Sequence, residues 1–182
     1  LLTEATNTIK ELTPRLGNFN NNTINNQYSI NVFLNEKCKD AINMSDFIKS
    51  IEVSLEQLDF TKVNGLEKGL SNVIMENMSK LSLYERPVHC TDNKRETLYI
   101  KDNNTWEKDS DKSRIKNVIK KASCKNYQAL TEWTKSNPDF MEYDDKQFYY
   151  AKTMSTLGKP IESIDDKIVK KICNETYLKG KI

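Results

Sequence analysis

The stretch from Arg86 to Asp109 constrains this chain more than any other, because three short β-prone runs and two turn signals crowd into it while helical periodicity surrounds it. Pro87 to Cys90 and Thr97 to Lys101 are rich in strand formers, and Thr105 to Glu107 offers a third short run. Between them, Asp92-Asn93 and Asp102-Asn103-Asn104 are turn formers, since short Asx side chains bond their own backbone and tolerate left-handed conformations. The spacing predicts a small antiparallel hairpin or meander set inside a helical chain. The same stretch holds the only histidine, His89, beside Cys90.

Around it the periodicity changes. From Tyr28, Ile30, Val32 and Leu34 alternate with Asn31 and Phe33, a strand-like run that could pair with the hairpin as an edge. Ser45 is placed to cap a helix, with Asp46 in the first turn and Phe47, Ile48, Ile51, Leu55 and Leu58 as its inward stripe. After Gly65, the spacing of Leu66, Leu70, Val73, Ile74, Met78 and Leu81 predicts a second helix with one core-facing side. Beyond the hairpin, Ser110 or Asp111 can cap a helix that turns Ile115, Val118, Ile119 and Ala122 inward. Tyr127 and Trp133, each three residues from Leu130, belong to a core or packing seam. Pro138 interrupts the pattern, and a helix carrying Phe148, Ala151, Met154 and Leu157 stops at Gly158. Ser163 with Asp166 reads as a capping box for a last helix whose Ile164, Ile168, Val169 and Ile172 face inward before Gly180. The fold class is therefore α+β: a mainly helical single domain with a small antiparallel β-hairpin or meander and an N-terminal helical extension.

That extension is short. Leu2, Ala5, Ile9, Leu12 and Leu16 fall on one helical stripe that could pair with another copy or dock onto the core. Pro14 weakens its last turn and Gly17 ends it. A helix of this length is marginal alone, so the stripe needs a surface to lie on. Residues 18–26 are an Asn-rich polar spacer. The expected organisation is residues 1–17 as a helical extension and candidate oligomerisation element, 18–29 as spacer, and 30–182 as the globular domain. A chain that starts on Leu rather than Met reads as a fragment or trimmed product.

Charge narrows the function classes. With 28 basic and 26 acidic side chains the formal net charge is +2, so no global field draws nucleic acid and any such binding must come from local clustering. The best cluster is the helix after the hairpin, where Lys112, Lys116, Lys120, Lys121 and Lys125 accompany Arg114; Lys94, Arg95 and Lys101 of the hairpin add to it. Lysines at i, i+4 and i+8 could track phosphates, although a solvated charged face is the commoner use of such a helix. Phe140, Tyr143, Phe148, Tyr149 and Tyr150 make the C-terminal third aromatic-rich, which suits a core or an interface.

Catalysis finds little footing. Cys38, Cys90, Cys124 and Cys173 lie far apart without a Cys-x-x-Cys pair, which argues for free thiols and against a zinc site. A His89–Cys90 dyad is disfavoured because neighbours on a strand point to opposite faces, and His89 reads as structural, for instance donating to a backbone carbonyl. Asp109, Asp111, Asp144, Asp145, Asp165 and Asp166 sit at turns and helix starts, where capping accounts for them. No Gly-rich phosphate loop occurs among the five glycines. The expectation is no enzyme, no catalytic residues, no cofactor, no metal and no small-molecule substrate, and no apolar run long enough to cross a bilayer.

Several of these segments together resemble a family. Asn35-Glu36-Lys37-Cys38-Lys39-Asp40-Ala41-Ile42-Asn43, Asn64-Gly65-Leu66-Glu67-Lys68-Gly69, Arg86-Pro87-Val88-His89-Cys90-Thr91-Asp92 and Tyr99-Ile100-Lys101-Asp102-Asn103-Asn104-Thr105-Trp106, in this order over residues 30–140, are similar to an uncharacterised family of giant nucleocytoplasmic DNA virus proteins. Many relatives place a single zinc-finger segment and an Asn-rich spacer ahead of this region. The resemblance implies a viral, modular parent protein with a potential link to DNA, located inside the host cell in the cytoplasm, the viral factory or the virion. It implies no catalytic residues. The expected function is a non-enzymatic oligomerisation or partner-binding module acting on itself or a viral protein; direct nucleic-acid binding through the lysine-rich helix and basic hairpin is the alternative.

Overall fold

A computed structural model describes residues 28–180. The stripe from Leu2 to Leu16 and spacer residues 18–27 lie outside the described residues. Six α-helices are labelled here: α1 (Met44–Ser50), α2 (Leu55–Asn64), α3 (Leu66–Ser79), α4 (Ser113–Ser136), α5 (Asp144–Leu157) and α6 (Asp165–Glu175). Between α3 and α4 runs an antiparallel meander, β1 (Val88–Asp92), β2 (Thr97–Asp102) and β3 (Thr105–Lys108), in the order β1-β2-β3. The mainly helical α+β class expected from the periodicity is what the chain forms.

The turns obey the expected chemistry. Asp92 Oδ1 accepts from the Lys94 and Arg95 amides at 3.0 Å each, closing the first turn. Asn103 and Asn104 carry φ of 49° and 59°, so two adjacent left-handed residues make the tight primed turn that matches strand twist. That turn is anchored from outside: Asn43 Oδ1 accepts from the Asn104 amide at 2.7 Å, and Asp102 Oδ1 accepts from the Ser45 amide at 3.3 Å.

Both faces of the sheet are covered, which is why β2 reads as almost continuously buried. Val88, Cys90, Leu98 and Ile100 join the main core with residues from all six helices. His89 and Tyr99, paired across the strands, face a second cluster that includes Phe33, Leu34, Cys38, Ala41 and Leu178. The outer edge of β1 is protected by the chain's return: Cys90 donates its amide to the Thr176 carbonyl and accepts from the Leu178 amide, both at 3.0 Å.

Several local expectations need correction. The alternating run at Ile30, Val32 and Leu34 is not a strand; residues 28–32 are helical and pass into a π-helical turn at Phe33–Lys37. Phe33 and Leu34 are adjacent and both buried, which a strand exposed on one side cannot achieve, and Asn35 donates back to the Asn31 carbonyl as a helical side chain does. The single helix expected from Ser45 through Leu58 is two. Ser45 lies inside the first turn of α1, and the chain extends at Ile51 before Ser54 starts α2 with a capping box completed by Gln57. Leu55 is consequently 53% exposed.

The start of α4 is capped by a residue outside the expected pair. Asp109 accepts from the Arg114 and Ile115 amides at 3.2 and 2.9 Å, while Asp111 takes the Ser113 amide and Lys112 turns left-handed with φ 61°. On α5 the inward face is Thr153, Thr156 and Leu157 with partly buried Tyr149 and Tyr150, whereas Phe148, Ala151 and Met154 face outward. The Ser163–Asp166 capping box does not form. Ser163 bonds the Pro160 carbonyl in a short 3-10 turn, and Asp166 turns to Lys116.

Helices α2 and α3 are joined through Gly65 alone, whose φ of 90° lets the chain reverse. They close tightly at Gly69, where an added Cβ would stand 2.2 Å from Thr61 Oγ1.

Candidate functional site

The histidine does meet a cysteine, but not its neighbour. Alternation along β1 sends His89 to the outer cluster and Cys90 to the main core, and both are fully buried. His89 Nε2 lies 3.6 Å from Cys38 Sγ, with the ring edge-on to Phe33 at 5.7 Å and inclined over Trp106 at 5.5 Å. Trp106 donates to the Cys38 carbonyl at 3.4 Å, and Lys101 spends its ammonium on the Lys39 and Ala41 carbonyls at 2.5 and 2.8 Å. These bonds pin the loop after the π-helical turn to the sheet. Burial pushes the Cys38 thiol up to about 11, with the nearby Lys101 charge acting in the opposite direction, so at neutral pH it is a protonated thiol sealed from solvent. On the sheet's other side the Cys90 and Cys173 thiols interact, and that contact together with burial raises the Cys173 pKa. Among the described residues no group of three or more His, Cys, Asp or Glu side chains could hold a metal ion.

The basic residues are dispersed rather than assembled. Lys112 pairs with Glu96 of the hairpin turn, and Arg114 pairs with Glu107 of β3. Lys116 reaches Asp166 at 2.8 Å and Asp165 at 3.3 Å, and Lys120 reaches Glu162 at 3.2 Å. The i, i+4, i+8 row is therefore spent on tying α4 to the hairpin and to the start of α6. The hydrogen bond from Lys116 holds the Asp166 carboxyl below its ordinary range, and the same bond raises Lys116. Lys125 donates to the Lys49 carbonyl at 3.2 Å, and Arg95 lies 3.8 Å from Asp92. Lys101 is only 5% exposed. Lys94 and Lys121 are exposed, on the hairpin turn and on α4 respectively.

The aromatic third divides into a packed half and an open half. Tyr149 stacks on Trp133 at 4.5 Å, Phe140 sits edge-on to Trp133 at 5.9 Å, and Tyr150 lies 4.9 Å from Phe140. Lys62 lies over the Tyr149 ring at 3.9 Å while bridging to Asp59 at 3.0 Å, and burial lifts the Tyr149 phenol well above its usual range. In contrast, Phe148 is 69% exposed and Val63 76%, and Met141 and Tyr143 are open as well. Val63 and Phe148, with Lys62, Asp145, Tyr149 and Lys152, line a groove of about 410 Å³ between α2 and α5. A second groove of about 510 Å³ opens beside Trp133, lined by Val53, Leu55 and Ala129.

Sequence reasoning leaves this surface unplaced. Val63 carries no signal as the last apolar residue of α2, and Phe148 stays open between core and interface because its spacing fits either face of an aromatic-rich helix. The Cys38–His89 contact joins residues 51 apart, a separation no local pattern spans. Comparison with protein-family models, with curated proteins and with solved structures finds no match.

Proposed function

We propose that this chain is a non-enzymatic oligomerisation or partner-binding module, and that the groove between α2 and α5 is its contact surface. The observation that carries the reading is the side-by-side exposure of Val63 and Phe148 on adjoining helices. Keeping two large apolar side chains in water forgoes roughly 1.5–3 kcal/mol of burial each, a cost that a contact surface recovers on association. The surroundings fit the same use, since the groove is also lined by Tyr149 and by charges of both signs, Lys62, Lys152 and Asp145. Among the described residues no helix is long and apolar enough to cross a membrane. The resemblance to giant-virus proteins supports reading the module as part of a larger viral protein.

The test compares the light-scattering mass of the full chain with that of the Val63→Asp, Phe148→Asp double variant. Mass above the monomer value, reduced in the variant at an unchanged melting temperature, is expected. Equal masses for the two would remove the groove from the account. Salt-steep binding of labelled DNA would instead move the function to exposed cations such as Lys94, Arg95 and Lys121.

A further inference from the structure

Helix α4 sorts its cations by side. Lys112, Lys116 and Lys120 turn to acids of the hairpin and of the approach to α6. Arg114, Asn117 and Lys121, three and four residues apart, share a different side of the helix. They line a cleft of about 290 Å³ together with residues of α1 and of the β2–β3 turn, among them Ser45 and Asp102. That is the volume of roughly ten waters at about 30 Å³ each, near the lower end for a small-molecule site. The elements around the cleft are fastened to one another. Asp102 Oδ1 accepts from the Ser45 amide at 3.3 Å, Asn43 Oδ1 accepts from the Asn104 amide at 2.7 Å, and Lys125 donates to the Lys49 carbonyl at 3.2 Å. A cleft held in this way loses little freedom when a ligand enters it.

The polar groups on this surface have a particular balance. Among the described residues Lys121 has no acidic partner, and the Ser45 and Asn117 side chains make no hydrogen bond. Arg114 carries five N–H donors, and Nη2 is the nitrogen that serves Glu107. Two cations and two neutral donors on one small surface suit an anion with several acceptor oxygens, as a phosphate group has. Asp102 is the one carboxylate among the described residues that line the cleft, and it offers an acceptor. A hydroxyl group meets that acceptor where a bare anion is repelled by it.

We infer that the cleft between α1, the β2–β3 turn and α4 binds a small phosphate monoester that also carries hydroxyl groups. Lys121 and Arg114 supply the charge for the phosphate, Asn117 and Ser45 donate to its oxygens, and Asp102 accepts from a hydroxyl of the same molecule. The site stands apart from the α2–α5 groove and needs no second copy of the chain.

The experiment titrates the isotope-labelled full chain with ribose 5-phosphate at physiological salt and follows the backbone amides by NMR, with ribose, inorganic phosphate and a single-stranded oligonucleotide as separate arms. Saturable shifts centred on residues 44–48, 102–104 and 114–121 are expected, with ribose 5-phosphate bound more tightly than ribose or inorganic phosphate. Lys121→Met should weaken that binding by at least about tenfold, the loss of one charge-assisted hydrogen bond, while Lys120→Met, whose ammonium faces Glu162, should leave it unchanged. Asp102→Asn keeps an oxygen for the Ser45 amide and removes the charge, so it should narrow the preference for ribose 5-phosphate over inorganic phosphate. Amide shifts of the unliganded variants show whether each has kept the fold. Shifts that do not saturate or that scatter over the surface overturn the assignment. So do equal losses from Lys120→Met and Lys121→Met in folded variants, and inorganic phosphate or the oligonucleotide binding as tightly as the sugar phosphate.

Discussion

Gly69 is the residue on which the α2–α3 hairpin turns. A methyl group there would overlap Thr61 at Oγ1, Cγ2 and Cβ, and Thr61 is itself fully buried with its hydroxyl bonded to the Gln57 carbonyl. Gly69→Ala should therefore cost about 1–3 kcal/mol by overpacking, lowering the melting temperature by roughly 2–4 °C per kcal/mol. A thermal melt at or above the parent's would contradict the close approach. The thiols make a second residue-scale case. Cys38, Cys90 and Cys173 are buried and Cys124 is exposed. A colorimetric thiol reagent at neutral pH should titrate one cysteine quickly in the folded chain and all four after denaturation. Rapid reaction of two or more in the folded state would show that the sheet does not seal its thiols. The sequence made the opposed directions of His89 and Cys90 legible through strand alternation. That both would be buried was not legible, because it depends on a second cluster formed by Phe33, Leu34 and the returning Leu178.

At the scale of elements, the strands were readable because their turns are encoded locally. Asp92, Asn103 and Asn104 each act through their own backbone, so neighbours in sequence suffice to place them. Helix ends were less readable where the partner came from elsewhere. Asp109 caps α4 from the residues just after β3, a role visible only once the strand is seen to deliver it to the helix start. Asp109→Ala should leave the Arg114 and Ile115 amides uncapped and cost about 1–2 kcal/mol in denaturant unfolding, whereas Asp111→Ala, at an exposed position, should cost less. Equal losses would place the cap elsewhere. The ties between α4 and α6 have a pH signature. Because Asp166 titrates below its ordinary 3.8 when folded, its contribution is present above that value and is lost as pH falls through the lower folded one. Asp139, held low by Lys146, acts in the same direction. Stability should decline below about pH 4, and Lys116→Met should shrink that decline; the effect is small because both partners are solvent-screened. An acid limb unchanged by Lys116→Met would separate the ion pair from acid stability.

Across the whole molecule, charge and apolar surface have exchanged the roles that composition suggested. The lysine-rich helix looks from sequence like a surface for phosphates, yet Lys112, Lys116 and Lys120 find their counter-charges within the domain. The acids that pair with them, Glu96, Glu162 and Asp166, are spread over the chain, so no local pattern matches them to α4. Conversely, Phe148 has the composition of a core residue and stands in solvent beside Val63. Local spacing cannot tell an inward aromatic from an outward one when a helix carries Phe148, Tyr149 and Tyr150 in succession; the stacking of Tyr149 on Trp133 decides which way α5 is turned. Apolar contact, rather than charge, is the proposed basis of association. Sedimentation equilibrium of the full chain at low and at high salt tests that claim most directly. Apolar docking predicts an association constant that holds or rises with salt, because exposed charges are screened while apolar burial is not weakened; association that collapses as salt rises, or a monomer at every concentration, would contradict it.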